Sequence, residues 1–404
     1  MAFQIIEIEA TGSLKPVRVP LGCTGIAFLV RRASRPIAFW MEDHASGDLI
    51  TRDDLVARLA QHAGHRLLAA AVREEVLPYP ALDRLPSLTI AICTRDRPHQ
   101  LRQCIQALQK HVLGQSITSE VEILVVDNAS RDEHTRAVAT TLGVRYEYER
   151  KPGLNFARNV ALELTAGELL AFLDDDVVVG RDWLAGLSEA LSEHSDAAAV
   201  TGLVLPHRLE TEAQILFERR GGFGLGFEKV RYGPIGPDCP YPCNPGLFGI
   251  GANMVFRTGV LRRLGGFDEA LDTGPTLAGG GDLDMFYRIV RADHPLIYEP
   301  RMLVFHQHRE DLFALRRQYW SWGQSFIALL DKCYRTDPSQ RYNIRRLIGR
   351  WSLHQLRFIV RSLRRRDLVG LQMTLIEICG AIIGLCGEYR RSARRVAAIR
   401  ARGE

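Results

Sequence analysis

Three consecutive carboxylates, Asp174, Asp175 and Asp176, interrupt an apolar run that opens at Leu169 and resumes at Val177. Like charges packed this closely repel one another and resist desolvation. The triplet therefore belongs either on a solvated turn or against something positive, and a divalent cation taking oxygen ligands is one such partner. Polar and acidic residues also close two earlier apolar runs. Thr94-Arg95-Asp96-Arg97 follows Leu88–Cys93, and Asp127-Asn128-Ala129-Ser130 follows Val121–Val126. Further on, Asp282 and Asp284 precede the helical-looking stretch Met285–Val290, and His306 and His308 sit just past Val304.

The elements that must position these residues alternate. Short continuous apolar runs at residues 88–93, 121–126 and 168–173, with a further extended segment at 145–149, are separated by helical spacing at 101–108, 133–142 and 156–164. Such alternation predicts parallel strands with helices on both faces of a sheet. In open sheets of this kind ligands bind outside the carboxyl ends of the strands. A solvated turn accounts for each polar strand end taken singly; it does not account for three of them sharing one rim.

The flanks read differently. Residues 1–85 carry short alternating segments and one helical stretch from Thr51, with no catalytic constellation, which predicts a small α+β unit ending in the proline-rich linker 77–86. The main domain is expected over 86–335. From residue 336 onward a basic helical region is expected: fifteen arginines and four acidic residues lie beyond position 340, in a chain whose formal net charge is only +5. The remainder of the chain is thus net acidic. Arginines interleaved with apolar residues, as in 345–366, fit basic amphipathic helices on an anionic membrane surface, and equally a helical pair packed on the main domain with solvated arginines. The stretch 368–389 carries Gln372, Glu377 and Glu388, which reads against a spanning helix.

With 46% hydrophobic and 25% charged residues the chain reads as globular. Eight scattered cysteines and an N-terminus without a secretory pattern predict a reduced, cytoplasmic setting, peripheral at the inner membrane face if the tail docks there. Cys239 and Cys243 are too few for a structural zinc site, which takes four ligands. The Gly- and Pro-rich segment 219–246 excludes a long regular element, and its Phe223, Phe227, Tyr232 and Tyr241 suit sugar stacking or loop anchoring.

The ordered motifs CTRDRP (93–98), VVDNAS (125–130), GLNFARN (153–159), the DDD turn (174–176) and GGGDLDMFYR (279–288) resemble the family 2 glycosyltransferases over roughly residues 86–310. The resemblance implies a GT-A α/β fold, a nucleotide-diphosphate sugar donor, a hydroxyl-bearing acceptor that is lipid-linked in many such enzymes, and Mn²⁺ or Mg²⁺. It places Asp176 on the metal and Asp174 on the nucleotide side, with Asp175 sharing either role. Thr94 and Asp96 are expected to flank the base and Asp127 to receive base or ribose, beside its ordinary role as a turn or cap aspartate. Arg158 falls where the family has a basic residue near the nucleotide, with Asn155 or Asn159 adding hydrogen bonds. Asp282 corresponds to the general base of inverting members. Glu-Asp is common at that point, whereas this chain has Gly281-Asp282. Asp284 is expected to cap the first helical turn or to support its neighbour. His306 or His308 is expected to complete the metal site, His306 preferred.

Other classes fit less well. A dinucleotide-dependent oxidoreductase needs G-x-G-x-x-G after the first strand, where this chain has CTRDRP. A sugar nucleotidyltransferase needs a glycine-rich triphosphate loop there, and this loop has no glycine. A catalytically silent nucleotide-sugar-binding protein would have no use for both Asp176 and Asp282. No nucleic-acid module is recognisable.

Overall fold

The computed structural model describes residues 2–76, 85–113, 115, 120–233, 244–274 and 277–403. Most of the proline-rich linker, Cys239, Cys243 and Tyr241 lie outside the described residues. The N-terminal unit comprises β1 (Phe3–Glu9), β2 (Val17–Arg18), β3 (Gly25–Arg32), β4 (Arg35–Asp43), β5 (Leu49–Ile50) and α1 (Arg52–Val76). β3 is central, parallel to β1 and antiparallel to β4. α1 buries Leu55, Leu59 and Ala63, four residues apart, against that sheet.

The alternation then builds β6 (Leu88–Thr94), α2 (Pro98–His111), β7 (Val121–Asn128), α3 (His134–Thr141), β8 (Arg145–Glu149), α4 (Leu154–Leu164) and β9 (Leu169–Asp174). These strands run parallel in the order β8-β7-β6-β9. Their near-continuous apolar sequence follows from burial on both faces. The register aligns the polar ends: Thr94 lies opposite Asp127, and Cys93 opposite Asp174.

The second half adds β10 (Val177–Val179), α5 (Trp183–Glu193), β11 (Ala199–Pro206), α6 (Glu212–Arg219), β12 (Val230–Tyr232), β13 (Asn253–Arg257), α7 (Thr258–Arg263), α8 (Gly281–Arg291) and β14 (Leu296–His306). β13 is antiparallel to β9 and to β11, and β14 is parallel to β11. β10 is antiparallel to β14, with Val177 opposite His306. That pairing carries the histidine to the carboxylate turn.

Four helices complete the chain: α9 (Leu312–Thr336), α10 (Arg341–Arg365), α11 (Leu368–Leu385) and α12 (Glu388–Gly403). α11 crosses α9 at backbone contact. A Cβ on Gly323 would stand 1.9 Å from the Glu377 carbonyl oxygen, and one on Gly380 would stand 2.1 Å from that of Trp320. α12 returns to the main domain, where Tyr389 donates to Asp268 (2.8 Å) and Val396 packs against Phe156. α11 is long and apolar enough by length and composition to cross a bilayer, since Glu377 is its one charged residue.

The N-terminal unit is fastened to the sheet by a buried ion network. Arg35, next to the β3–β4 turn, donates to both oxygens of Glu189 on α5 (2.9 and 2.6 Å), and Lys229 and Arg301 add contacts at 3.1 and 2.9 Å. Burial pushes the Glu189 carboxyl up, but Arg35 and Lys229 outweigh it and hold it at about 2. Glu189→Gln leaves three cations around a neutral amide, and we expect urea unfolding at pH 7 to show a loss of about 3 kcal/mol. Because the folded value is depressed, this contribution is complete above the ordinary value of 4.5 and disappears as pH falls towards 2. The gap between wild type and variant should therefore close over that window; a constant gap would show that the charge is not its source.

Candidate active site

Asp174 ends β9, and Asp175 and Asp176 form the two-residue turn into β10. The turn sends alternate side chains in different directions. Asp174, Asp176 and His306 bring one ligand atom each within 4.8 Å of one another. Asp175 points inward instead, accepting from Thr94 Oγ1 (2.6 Å) and Arg97 (3.0 Å). Arg97 also reaches Asp176 Oδ2 (3.1 Å), with Arg309 at 3.6 Å. Among the described residues the arginines in ion pairs with the triplet are Arg97 and Arg309, to which the sequence alone assigns no role.

His306 Nε2 lies 3.2 Å from Asp176 Oδ1. That oxygen is buried and makes no aligned hydrogen bond. β14 ends at His306, and His308 lies two residues beyond it. The two rings stand side by side in the interior with Nδ1 atoms 3.1 Å apart, and His308 Nε2 meets Glu218 at 2.7 Å. His306 joins the carboxylate cluster and His308 backs it. Phe223 lies edge-on against both rings, which makes it a loop anchor.

Electrostatics fit this cluster to a divalent cation. Burial pushes His306 down to about 4, leaving a neutral imidazole with a lone pair for a metal. Burial, and then the Asp176 charge, push Asp174 up to about 7. For Asp176, burial acts upward but His306 in its protonated form, Arg97 and Arg309 pull the carboxyl below its usual value. Two carboxylates and an imidazole, with one buried carboxylate oxygen that makes no hydrogen bond, suit Mn²⁺ or Mg²⁺.

The neighbouring strand ends form a second wall. Asp127 is fully buried, accepting from the Ser130 backbone N–H (3.2 Å) and the Tyr146 hydroxyl (2.9 Å). Asp96 is exposed, with a left-handed φ of 56°. Its N–H donates to Ser130 Oγ (2.9 Å) and its carboxylate accepts from the Arg131 N–H (2.8 Å), tying together the loops after β6 and β7.

The third wall is α8. Asp282 lies in its first turn, with Oδ2 accepting from the Gly251 N–H (2.8 Å); a Cβ on residue 251 would stand 2.7 Å from that oxygen. Asp284 turns away to Arg288 and Lys332 and is buried. Beneath Asp282, the Gly281 N–H donates to Asp272 (2.9 Å), whose other partner is Arg158 (3.3 Å). Asn155 is also fully buried, donating to the carbonyls of Asp268 and Leu271 and accepting from Arg158. Asn159 likewise binds the Phe267 backbone. Hence the conspicuous GLNFARN residues hold the 267–272 loop that seats α8. Sequence reasoning missed Asp272, which burial pushes up to about 6 against the pull of Arg158. It also missed Glu218; the Asp272–Arg158 and Glu218–His308 contacts each join residues more than eighty positions apart.

A mixed sheet with carboxylates on the rim of its parallel half and a helix start beside them gives this domain a GT-A fold. The sequence model of Glycosyl transferase family 2 matches residues 89–264. The pre-mycofactocin glycosyltransferase of Mycobacterium tuberculosis is 27% identical over 271 residues, 66% of this chain and 51% of that protein. The succinoglycan biosynthesis protein ExoM of Rhizobium meliloti is 32% identical over 203 residues, 48% of this chain and 62% of that one. The chain thus spans about half to three-fifths of the length of these relatives. A mannosyltransferase from Pyrobaculum calidifontis, solved with GDP-Man and Mn²⁺, shares the fold: TM-score 0.53, 17% identity, 82% of this chain and 97% of that one.

The inward turn of Asp175 separates it from its neighbours. Asp175→Asn sets an amide against the Thr94 and Arg97 donors and should cost about 3 kcal/mol in denaturant unfolding. In the same preparation Mn²⁺ titration should show a smaller loss of affinity than Asp176→Asn. Unchanged stability together with a metal defect equal to that of Asp176→Asn would place Asp175 on the ion.

Proposed function

We propose that the protein is a metal-dependent, inverting glycosyltransferase. It moves a sugar from a nucleoside diphosphate donor to an acceptor hydroxyl in the synthesis of a polysaccharide, glycolipid or other glycoconjugate, in the cytoplasm or at the inner face of its membrane. The observation carrying this reading is the Asp174–Asp176–His306 cluster on the rim that Asp282 faces. The names of the relatives point the same way.

In this reading Asp174, Asp176 and His306 hold Mn²⁺ or Mg²⁺, which when bound neutralises the charge that develops on the departing diphosphate. Arg97 and Arg309 lie against Asp176 and add fixed positive charge on the same side. Thr94, Asp96 and Asp127 line the nucleoside pocket, with Asp127 shaping it through Tyr146 and Ser130. Arg158 and Asn155 act indirectly by fixing the loop beneath α8. Asp282 takes the proton from the acceptor hydroxyl. Its Oδ2 is held by Gly251, leaving Oδ1 as the basic atom. The acceptor oxygen forms a bond to the anomeric carbon as the bond to the diphosphate oxygen breaks; attack from the opposite face inverts that carbon.

Asp176→Asn and Asp282→Asn separate the two halves of this scheme. Both should lower transfer by about 10³-fold or more, the order expected when a metal ligand or base is lost. Calorimetric titration with nucleoside diphosphate and Mn²⁺ should show weak binding in Asp176→Asn and near-wild-type binding in Asp282→Asn. Equal donor affinity in wild type and Asp176→Asn would remove the metal assignment, and full activity in Asp282→Asn would remove the base. Donor binding without turnover by the wild-type protein, across nucleotide sugars and hydroxyl acceptors, would favour a binding protein instead.

A further inference from the structure

The amphipathic pattern of α10 inverts along its length. Ile344, Leu347, Ile348 and Trp351 join a core cluster in the first half, but in the second half Gln355 and Ser362 are interior, whereas Leu353, Leu356, Val360 and Leu363 are 48%, 55%, 40% and 58% exposed. Spacings of three, four and three residues place these four on one stripe of the helix. A helix on a water-facing surface shows the opposite arrangement. The interior polar groups are partnered: Gln355 donates to Glu377 of α11 at 2.9 Å. α11 continues the pattern, with Leu368, Leu375 and Ile382 exposed at intervals of seven.

Cations border this apolar stripe. Arg350, Arg357, Arg361, Arg364, Arg365 and Arg366 are exposed, and none has a carboxylate partner among the described residues. Leu356 and Val360 share one shallow depression with four of them. Exposed leucines flanked by unpaired arginines on one helical hairpin match the boundary of a bilayer, where acyl chains meet anionic headgroups.

We infer that the α10–α11 hairpin docks on an anionic phospholipid surface, with its aliphatic side chains below the headgroups and its arginines on lipid phosphates. A second copy of the chain fits less well, because a two-fold contact through this face would set arginine against arginine. Nucleic acid would answer the charge and leave the leucine stripe in water. A membrane-spanning α11 would have to leave its glycine contacts with α9 and expose Glu377, so the structure favours peripheral docking. The inference does not depend on sugar transfer.

Flotation of the full chain with vesicles tests it. Phosphatidylcholine vesicles containing 30% phosphatidylglycerol should carry the protein at 50 mM NaCl and release it at 500 mM, whereas pure phosphatidylcholine should carry little. Arg357→Glu/Arg361→Glu/Arg364→Glu should lower partitioning by about 100-fold or more, each basic residue near the surface contributing about fivefold. Leu356→Ser/Val360→Ser/Leu363→Ser should also reduce it while leaving the circular dichroism and melting temperature unchanged, since these positions are exposed. Four outcomes overturn the inference. These are absence of binding to anionic vesicles at low salt; wild-type binding by both triple variants; retention through high salt and alkaline carbonate, which would make α11 an integral span; and a dimer in sedimentation that the Leu356→Ser set dissolves, which would give the face to a second copy.

Discussion

The structure around the site is organised by the cost of crowding three carboxylates onto one turn. Isolated, Asp174, Asp175 and Asp176 would repel one another and shed charge by protonation. The chain answers each separately. Asp175 is sealed by Thr94 and Arg97, Asp176 is drawn down by His306 in its protonated form, Arg97 and Arg309, and Asp174 keeps a raised value of about 7. The remaining imbalance is confined to the space that Asp174, Asp176 and His306 share, where one buried carboxylate oxygen has no hydrogen bond. A cation placed there completes the neutralisation that the protein leaves unfinished.

That constraint explains the mixed sheet. The parallel half aligns the ends of β7, β6 and β9 in register, and parallel pairing alone would leave the rim without an imidazole. The antiparallel pairing of β10 with β14 reverses the chain direction, so that a residue at the end of the last strand arrives beside the turn after β9. α8 then closes the opposite wall, seated on the Asn155–Arg158–Asp272 cluster. Two chain segments far apart in sequence therefore meet at one rim by strand direction.

Local pattern made the first half of the domain legible. Continuous apolar runs ending in Thr94, Asp127 and Asp174 gave strand positions, strand direction and the shared rim, because burial on both faces leaves a clear signature in composition. Side-chain orientation was not legible in the same way. Nothing in the DDD triplet says that its middle carboxylate turns inward, and nothing in GLNFARN says that Asn155 and Arg158 serve a loop more than a hundred residues later. The two histidines stand two residues apart, the spacing that puts side chains on one face of an extended chain, and their rings do lie side by side although β14 stops at the first of them. Residues recruited through tertiary closure, such as Asp272 and Glu218, carry no local mark.

The C-terminal helices are coupled mechanically to this rim. Arg309 faces Asp176, and two residues later Asp311 caps α9 by accepting from the Ala314 N–H (2.7 Å). α9 then carries the glycine seam on which α11 rests, and Arg220, just past α6, locks the same junction by donating to Tyr319, to the Gly370 carbonyl and to Thr374. Glu218, which holds His308 behind His306, lies on the last turn of that same α6. Along the seam the two backbones approach so closely that a methyl group added at Gly323 or Gly380 would overlap the carbonyl oxygen opposite. The outward face of α10 and α11 is thus held at a fixed orientation to the carboxylate turn, and whatever covers that face is held at the same fixed orientation to the site.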